Sequence, residues 1–432
     1  MVQTCISLFK NKEIRNKILF TLLMLLVFRL GAAIPAPRVN TYALIGVSDN
    51  SILGMMNLLG GGALQKLSIF ALGVGPYITA SIIIQLLAMD VIPALSEMAK
   101  SGQQGRMKMD KITRYLAVIL AFIQALTMVY AFDNGALGVE SVLLVSNWAN
   151  YIYVAIVLTA GTMFLLWLGD RITQFGIGNG MSLIIFAGIV SSMPFTFMEV
   201  FKTLVNTSSS AATFSGMLSF GMYVLMYVVI IVLVVFMQKA VRKIPIQYTS
   251  SNMQKGKNDI NFLPLKINSA SVIPVIFASA IMTAPLTILS FFEPSDFSNF
   301  LNNVLSLSKP MGLCIYALLI IALTFFYTNL QVDPSKIADN LNKSGTYIPG
   351  IRPGNETKEY VSKVLNRITV LGAGFLLFIA LLPYVLTMFT NLSTAAAMGG
   401  TGIIIVVGVA METFSNLKGQ LTQKQYRGFI SK

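Results

Sequence analysis

Residues Ile52–Pro93 read ILGMMNLLGGGALQKLSIFALGVGPYITASIIIQLLAMDVIP. The stretch is apolar enough for a membrane, yet Gly60, Gly61, Gly62, Gly73, Gly75 and Pro76 interrupt it, and Gln65 and Lys66 sit in its middle. A lone lipid-facing helix is not built this way, because backbone that leaves the helix at membrane depth needs protein or a watery cavity around it. The expectation is a short re-entrant or cavity-filling segment over Ile52 to Lys66, then a broken span from about Leu67 to Pro93, with the rest of the chain surrounding both.

Composition agrees. Of 432 residues, 55% are hydrophobic and 11% charged, against about 25% charged in soluble domains, so the chain reads as an all-α polytopic membrane protein. Histidine is absent and there are two cysteines, Cys5 and Cys314. Histidine metal sites, a Ser-His-Asp triad and a Cys-His dyad are thereby excluded. No metal, cofactor or catalytic group is expected.

The N-terminus imitates a signal peptide, with Lys10, Lys12, Arg15 and Lys17 ahead of an apolar run and the small residues GAAIPAP. Arg29 interrupts that run and Pro35 and Pro37 crowd the apparent cleavage site, so the stretch is expected to be retained as a first span. Residues 1–17 suit a cytoplasmic amphipathic helix at the membrane surface or a disordered basic leader. Arg29 faces the bundle interior or snorkels.

Ten spans are expected. They run over Ile18–Ile34, Leu67–Pro93, Tyr115–Phe132, Tyr151–Leu168, Met181–Met198, Phe220–Gln238, Ser269–Phe292, Met311–Leu330, Ile368–Phe389 and Ala397–Phe414. The connections at 239–267 and 331–367 are too polar and long for turns, and IPIQYTSS alternates as a strand of a small hairpin. A basic tail spans 417–432. GIGNG (Gly176–Gly180) is a tight connection and not a nucleotide loop, since no parallel strand precedes it and no acidic residue follows at ribose spacing.

Charge tests the count. With both termini on one face, that face collects 26 of the 31 Lys and Arg residues, and the positive-inside rule makes it cytoplasmic. Ten spans divide into an N-terminal half over 18–200 and a C-terminal half over 201–416, each of five, so the halves are inverted. The Gly/Pro-broken span two and span seven, with Pro274 and Pro285 as expected kinks, occupy corresponding places.

Asp90, Asp170 and Glu412 fall at cytoplasmic span ends, leaving no acidic residue at midplane and arguing against a proton- or sodium-coupled carrier. The broken spans offer isoleucine instead. Ile78 and Ile82 share one helix face, and Ile185, Ile276 and Ile405 lie on spans five, seven and ten. Such side chains either form a dewetted constriction or simply pack against lipid and neighbouring helices.

The motifs FRLGAAIPAP (Phe28–Pro37), GGALQKLSIFALGVGPYITASIIIQLL (Gly61–Leu87), TRYLA (Thr113–Ala117) and GTMFLLWLGDRITQFGIGNGMSLIIFAGI (Gly161–Ile189) resemble the SecY/Sec61-alpha family, whose bacterial members are channel subunits of the Sec protein translocase. So do LPLKINSASVIPVIFAS (Leu263–Ser279), ADNLNKSGTYIPGIRPG (Ala338–Gly354) and GGTGIIIVV (Gly399–Val407). The resemblance runs the length of the chain.

It implies a protein-conducting channel, not an enzyme, in the bacterial cytoplasmic membrane. Residues 52–66, with Met55, Leu58, Leu59, Gly60, Gly61 and Gly62, would be the plug. Ile78, Ile82, Ile185, Ile276 and Ile405 would form the pore ring, with Ala280 a further position, small where a bulky side chain would close it. Spans two and seven, beside three and eight, would form a lateral gate, with Thr79, Ser81, Gln85, Asn268 and Ser279 as polar residues able to meet across it. Arg242, Lys243 and Arg352 would dock the SecA motor or the ribosome. The other implied partners are SecE, SecG, signal sequences, unfolded preproteins and membrane lipid. An inverted-repeat transporter of an uncharged solute is the alternative, and an intramembrane enzyme lacks any acid–base pair at depth.

Overall fold

The computed structural model describes residues 11–40, 62–64, 66–88, 92–133, 143–205, 210–248, 261–289, 296–307, 309–389 and 394–430. In chain order the elements begin with α1 (Lys12–Ala33), α2 (Gly75–Leu87), α3 (Pro93–Lys100), α4 (Gly102–Asp133), α5 (Trp148–Phe175), α6 (Gly180–Leu204) and α7 (Ser210–Lys239). Then come β1 (Val241–Tyr248), β2 (Asn261–Lys266), α8 (Ile273–Leu289), α9 (Asp296–Leu305), α10 (Pro310–Gln331) and α11 (Pro334–Lys343). The last three are β3 (Thr346–Tyr347), α12 (Asn355–Phe389) and α13 (Thr394–Ile430).

Among the described residues, eight helices are long and apolar enough to cross a membrane. They match eight of the ten expected spans. The other two are those that glycine and proline interrupt, and both form short apolar helices, α2 and α8. The 13 residues of α2 rise about 20 Å, well short of a hydrocarbon layer about 30 Å thick.

The backbone leading into α2 is a series of turns held by other protein. Pro35 and Ser68 form an antiparallel bridge, Ala36 N–H donates to the Leu67 carbonyl at 2.9 Å, and Ile69 N–H donates to the Ile34 carbonyl at 3.1 Å. Leu67, Ser68 and Ala71 are fully buried, the environment that irregular backbone needs at membrane depth. Pro76 then opens α2 at its first turn, where a missing N–H leaves nothing unpaired. Pro274 likewise stands in the first turn of α8 and starts that helix without kinking it, contrary to expectation; Pro285 lies inside the helix.

Several helices outrun the membrane. The 32 residues of α4 make a rod about 48 Å long, so GQQGRMKMDK, expected as part of a connection, is its first turns. Similarly α12 starts at Asn355, within the expected 331–367 connection.

Between α7 and α8 the expected hairpin forms, β1 pairing antiparallel with β2 so that Arg242 faces Leu265 and Ile244 faces Leu263. A third strand was not foreseen. β3, from the connection after α10, pairs with β1 through Gln247–Tyr347 and Tyr248–Thr346. Beneath this sheet Ile244, Leu265, Leu341, Ile348, Val361 and Ile368 pack in a core of their own. The two long polar connections thus form one small folded unit, and Asp333 caps its helix α11 by accepting from the N–H groups of Ser335 and Lys336 at 3.0 and 3.4 Å.

Candidate functional site

At the centre, α2 packs against α8. The isoleucines singled out from the sequence, Ile78, Ile82, Ile185, Ile276 and Ile405, are all buried and belong to one continuous apolar cluster, against which Ala280 packs while partly buried. Ile189 was not among the candidates. It lies one turn beyond Ile185 on α6, is 1% exposed, and belongs to the same cluster. The signal was present in the sequence, because Ile185 and Ile189 repeat the i, i+4 spacing of Ile78 and Ile82.

The polar residues on α2 and α8 divide into two groups. Thr79 Oγ1 donates to the Gly75 carbonyl at 3.2 Å and Ser279 Oγ to the Ile276 carbonyl at 2.7 Å, so each is satisfied on its own helix. Gln85 reaches another helix. Its Nε2 donates to Ser81 Oγ at 2.9 Å, and its Oε1 accepts from the hydroxyl of Tyr327 on α10 at 2.5 Å. Tyr327 is 6% exposed and sets its ring edge-to-face on Phe277 of α8, 5.1 Å between centroids. One side chain therefore joins α2 by a hydrogen bond and α8 by an aromatic contact. Tyr327 escaped the sequence reading because a tyrosine in an apolar span is unremarkable until its partner, 242 residues away in sequence, is known. The fifth candidate, Asn268, sits in the turn before α8, buried, with its Oδ1 unpaired.

Of the plug candidates, Met55, Leu58, Leu59, Gly60 and Gly61 lie outside the described residues. Gly62 is described and has φ +84°, a conformation glycine adopts without strain.

The docking candidates stand on the small folded unit. Arg242 and Lys243 are exposed on β1, with Lys243 Nζ 5.9 Å from the centroid of the Phe262 ring. Arg352 lies in the tip GIRPG between Gly350 and Gly354, at φ +81° and +101°. Its side chain is 87% exposed and 4.0 Å from Glu356. A pair this open to solvent contributes little, which leaves the guanidinium available to another molecule.

GIGNG is a structural corner. Asn179 caps α6 by accepting from Met181 N–H at 3.0 Å, and Ile177 N–H donates to Thr21 Oγ1 of α1 at 3.1 Å. A methyl at Gly180 would stand 1.9 Å from the Gly169 carbonyl oxygen, so glycine is needed for close packing of α5 on α6. Among the described residues no group of three or more acidic or cysteine side chains is placed to hold a metal ion.

Among the described residues, many apolar helices of membrane-spanning character, two of them short and interrupted, meet at an apolar centre whose core cluster contains no charged side chain, the architecture of a helical membrane protein. The SecY family profile matches residues 68–414. The protein translocase subunit SecY of Bacillus subtilis (strain 168) is 47% identical over 432 residues, covering 100% of both chains. That of Staphylococcus carnosus (strain TM300) is 46% identical, covering 99% of each. Among solved structures, a protein-conducting channel has a TM-score of 0.68 at 20% identity, over 93% of this chain and 91% of that one. Sec61 from a canine ribosome–channel complex has a TM-score of 0.65 at 18% identity with the same coverage. The chain belongs to the SecY family. It is a multi-pass protein translocase channel subunit and not an enzyme.

Proposed function

We propose that this chain crosses a bacterial cytoplasmic membrane ten times with both termini in the cytoplasm. It conducts unfolded secretory polypeptides through its centre and releases apolar segments sideways between α2 with α4 and α8 with α10. The observation that carries this is the packing. In the N-terminal half α1 packs on α5 and α6, α2 on α4, α4 on α5, and α5 on α6; in the C-terminal half α7 packs on α12 and α13, α8 on α10, α10 on α12, and α12 on α13. Among the described residues, each of these span–span contacts has its counterpart five spans later. An odd number of spans per half inverts the second, which supports halves at 18–200 and 201–416 and a central path at their interface.

In this reading Ile78, Ile82, Ile185, Ile276 and Ile405 form a dewetted constriction. Ile189 completes it better than Ala280, whose methyl is too small to fill the gap. Residues 52–66 act as the plug on its outer side, and the backbone before and after them is held by the Pro35–Ser68 bridge. A signal sequence of about 7–15 apolar residues enters where α2 meets α8, displacing the Gln85–Tyr327 bond. Arg242, Lys243 and Arg352 dock SecA or the ribosome, the latter through phosphate and hence with salt-sensitive affinity. SecE and SecG are the expected small membrane subunits.

Reconstitution of the chain with SecE and SecG in vesicles, with SecA, ATP and a secretory precursor outside, is the test. Protease-protected precursor is expected only when the signal sequence is intact. Protection independent of the signal, or none at all, would overturn the proposal.

A further inference from the structure

The turn that feeds α8 is strained where the proposed gate needs it to move. Ser271 has φ +57°, the left-handed region in which a Cβ crowds the next carbonyl and glycine alone is at ease. Nearby polar atoms add to this. Asn268 is 6% exposed, and its Oδ1, the Oγ of Ser271 and the Nε2 of Gln238 are buried without a hydrogen-bond partner. Gln238 belongs to the same junction, since Ile267 N–H donates to the Ala240 carbonyl at 3.0 Å. Buried polar atoms left unpaired destabilise whatever state contains them.

Backbone strain persists only where the surroundings enforce it, and two glycines on neighbouring helices provide the enforcement. A methyl at Gly372 of α12 would stand 2.8 Å from the Ile267 carbonyl oxygen, and one at Gly408 of α13 would stand 2.5 Å from Cγ1 of Val272. Both flanks of the turn are therefore seated in notches that only glycine leaves open. Directly beyond, α8 carries Ile276 of the proposed ring and Phe277, the contact of Tyr327.

We propose that the turn Asn268–Ser271, seated between Gly372 and Gly408, is a spring that raises the free energy of the closed gate and so determines how apolar a signal segment must be to part α2 from α8. The inference rests on the channel reading above. When α8 leaves the notches, Ser271 returns to negative φ and the polar atoms of Asn268 and Ser271 find water or the arriving chain. Closing the gate reloads the turn.

Ser271→Gly removes the strain from the seated state and leaves the unseated state nearly unchanged, shifting the gate about tenfold toward closed. In the reconstituted complex with SecE, SecG and SecA, the variant is expected to translocate a precursor with a weakly apolar signal about tenfold more slowly. A strongly apolar signal should pass at the unaltered rate, a contrast that general destabilisation does not produce. Ser271→Ala keeps the Cβ and its strain while removing the unpaired hydroxyl, and is expected to fall between the two. If Ser271→Gly handles the weak signal as fast as the unaltered chain or faster, the spring is overturned with the channel reading intact. If Ser271→Ala matches Ser271→Gly, the hydroxyl and not the backbone carries the effect, and the strain is again overturned. Failure of the unaltered chain to translocate in a signal-dependent way instead overturns the channel reading.

Discussion

Replacing Tyr327 by Phe deletes one hydroxyl from the proposed gate. The ring keeps its edge-to-face contact with Phe277 at 5.1 Å, so packing between α10 and α8 is preserved. What is lost is the 2.5 Å bond to Gln85, leaving Gln85 Oε1 unpaired while its Nε2 still holds Ser81. A net hydrogen bond contributes about 1 kcal/mol, and because Gln85 is only part-buried its freed acceptor adds little beyond that. If the bond exists only in the closed gate, Tyr327→Phe shifts the equilibrium toward open by about 5–10-fold, since about 1.4 kcal/mol is a factor of ten. Translocation of a precursor with a weakly apolar signal into vesicles measures that shift. The expected result is a rise of about that size, with little change for a strongly apolar signal, because binding of the latter already exceeds the cost of opening. A cycle with Gln85→Leu sharpens the test: the double variant should show a coupling of about 1 kcal/mol, as residues sharing one bond are not additive. Unchanged handling of weak signals by Tyr327→Phe, or strict additivity with Gln85→Leu, would refute the latch.

Three other changes report on separate parts of the molecule. Asn in place of both Ile78 and Ile82 would hydrate the proposed constriction, which in that reading holds back ions by being dry, so resting conductance of the vesicles should rise; a conductance equal to that of the unaltered chain removes these residues from the ring. Arg352→Glu reverses a charge whose side chain is 87% exposed on the GIRPG tip, and should abolish SecA-driven translocation with the channel still inserted; persistence of transport would dismiss the docking role. Asn179→Ala deletes the cap of α6, which should destabilise the fold by about 1 kcal/mol, visible as a lower melting temperature in detergent; an unchanged value would mean that the α5–α6 corner is held by packing alone.

Hydropathy reports where a chain meets lipid, which is why eight spans were legible from the sequence and why their ends were not. Nothing in the apolar window over Tyr115–Phe132 says that α4 begins at Gly102, because those first turns are polar and held by local helix propensity and by α3. The interruptions were more informative than the windows. Gly73, Gly75 and Pro76 marked the second span as broken, and Pro274 and Pro285 set the seventh apart in the same way, but that both would reduce to short helices, with Pro274 opening α8, was not legible. Pairing between distant segments was invisible. β3 has two residues, too few for any periodicity, and its partner β1 lies about a hundred residues earlier. Tyr327 was hidden for the same reason: its side chain is ordinary alone, and only its meeting with Gln85, itself a gate candidate, carries chemistry.

The contacts between the two proposed halves bear on how such a channel would open. Among the described residues, the substantial ones are α6 with α7, α6 with α13, and α2 with α8. The first follows the covalent connection and is reinforced by the aromatic cluster of Phe197, Tyr223 and Tyr227. The second joins two long helices, with Ile184, Ile185, Ile404 and Ile405 buried in the same core. Only the third is made by two short helices, each preceded by non-helical backbone that can redirect it. In the proposed reading, the halves therefore separate most easily at α2 and α8, with the α6–α7 contact as the hinge. In that reading the stretch from Lys66 to Leu87 has two mechanical duties: its turns tie it to the end of α1 and the residues that follow, while its short helix is the edge that parts.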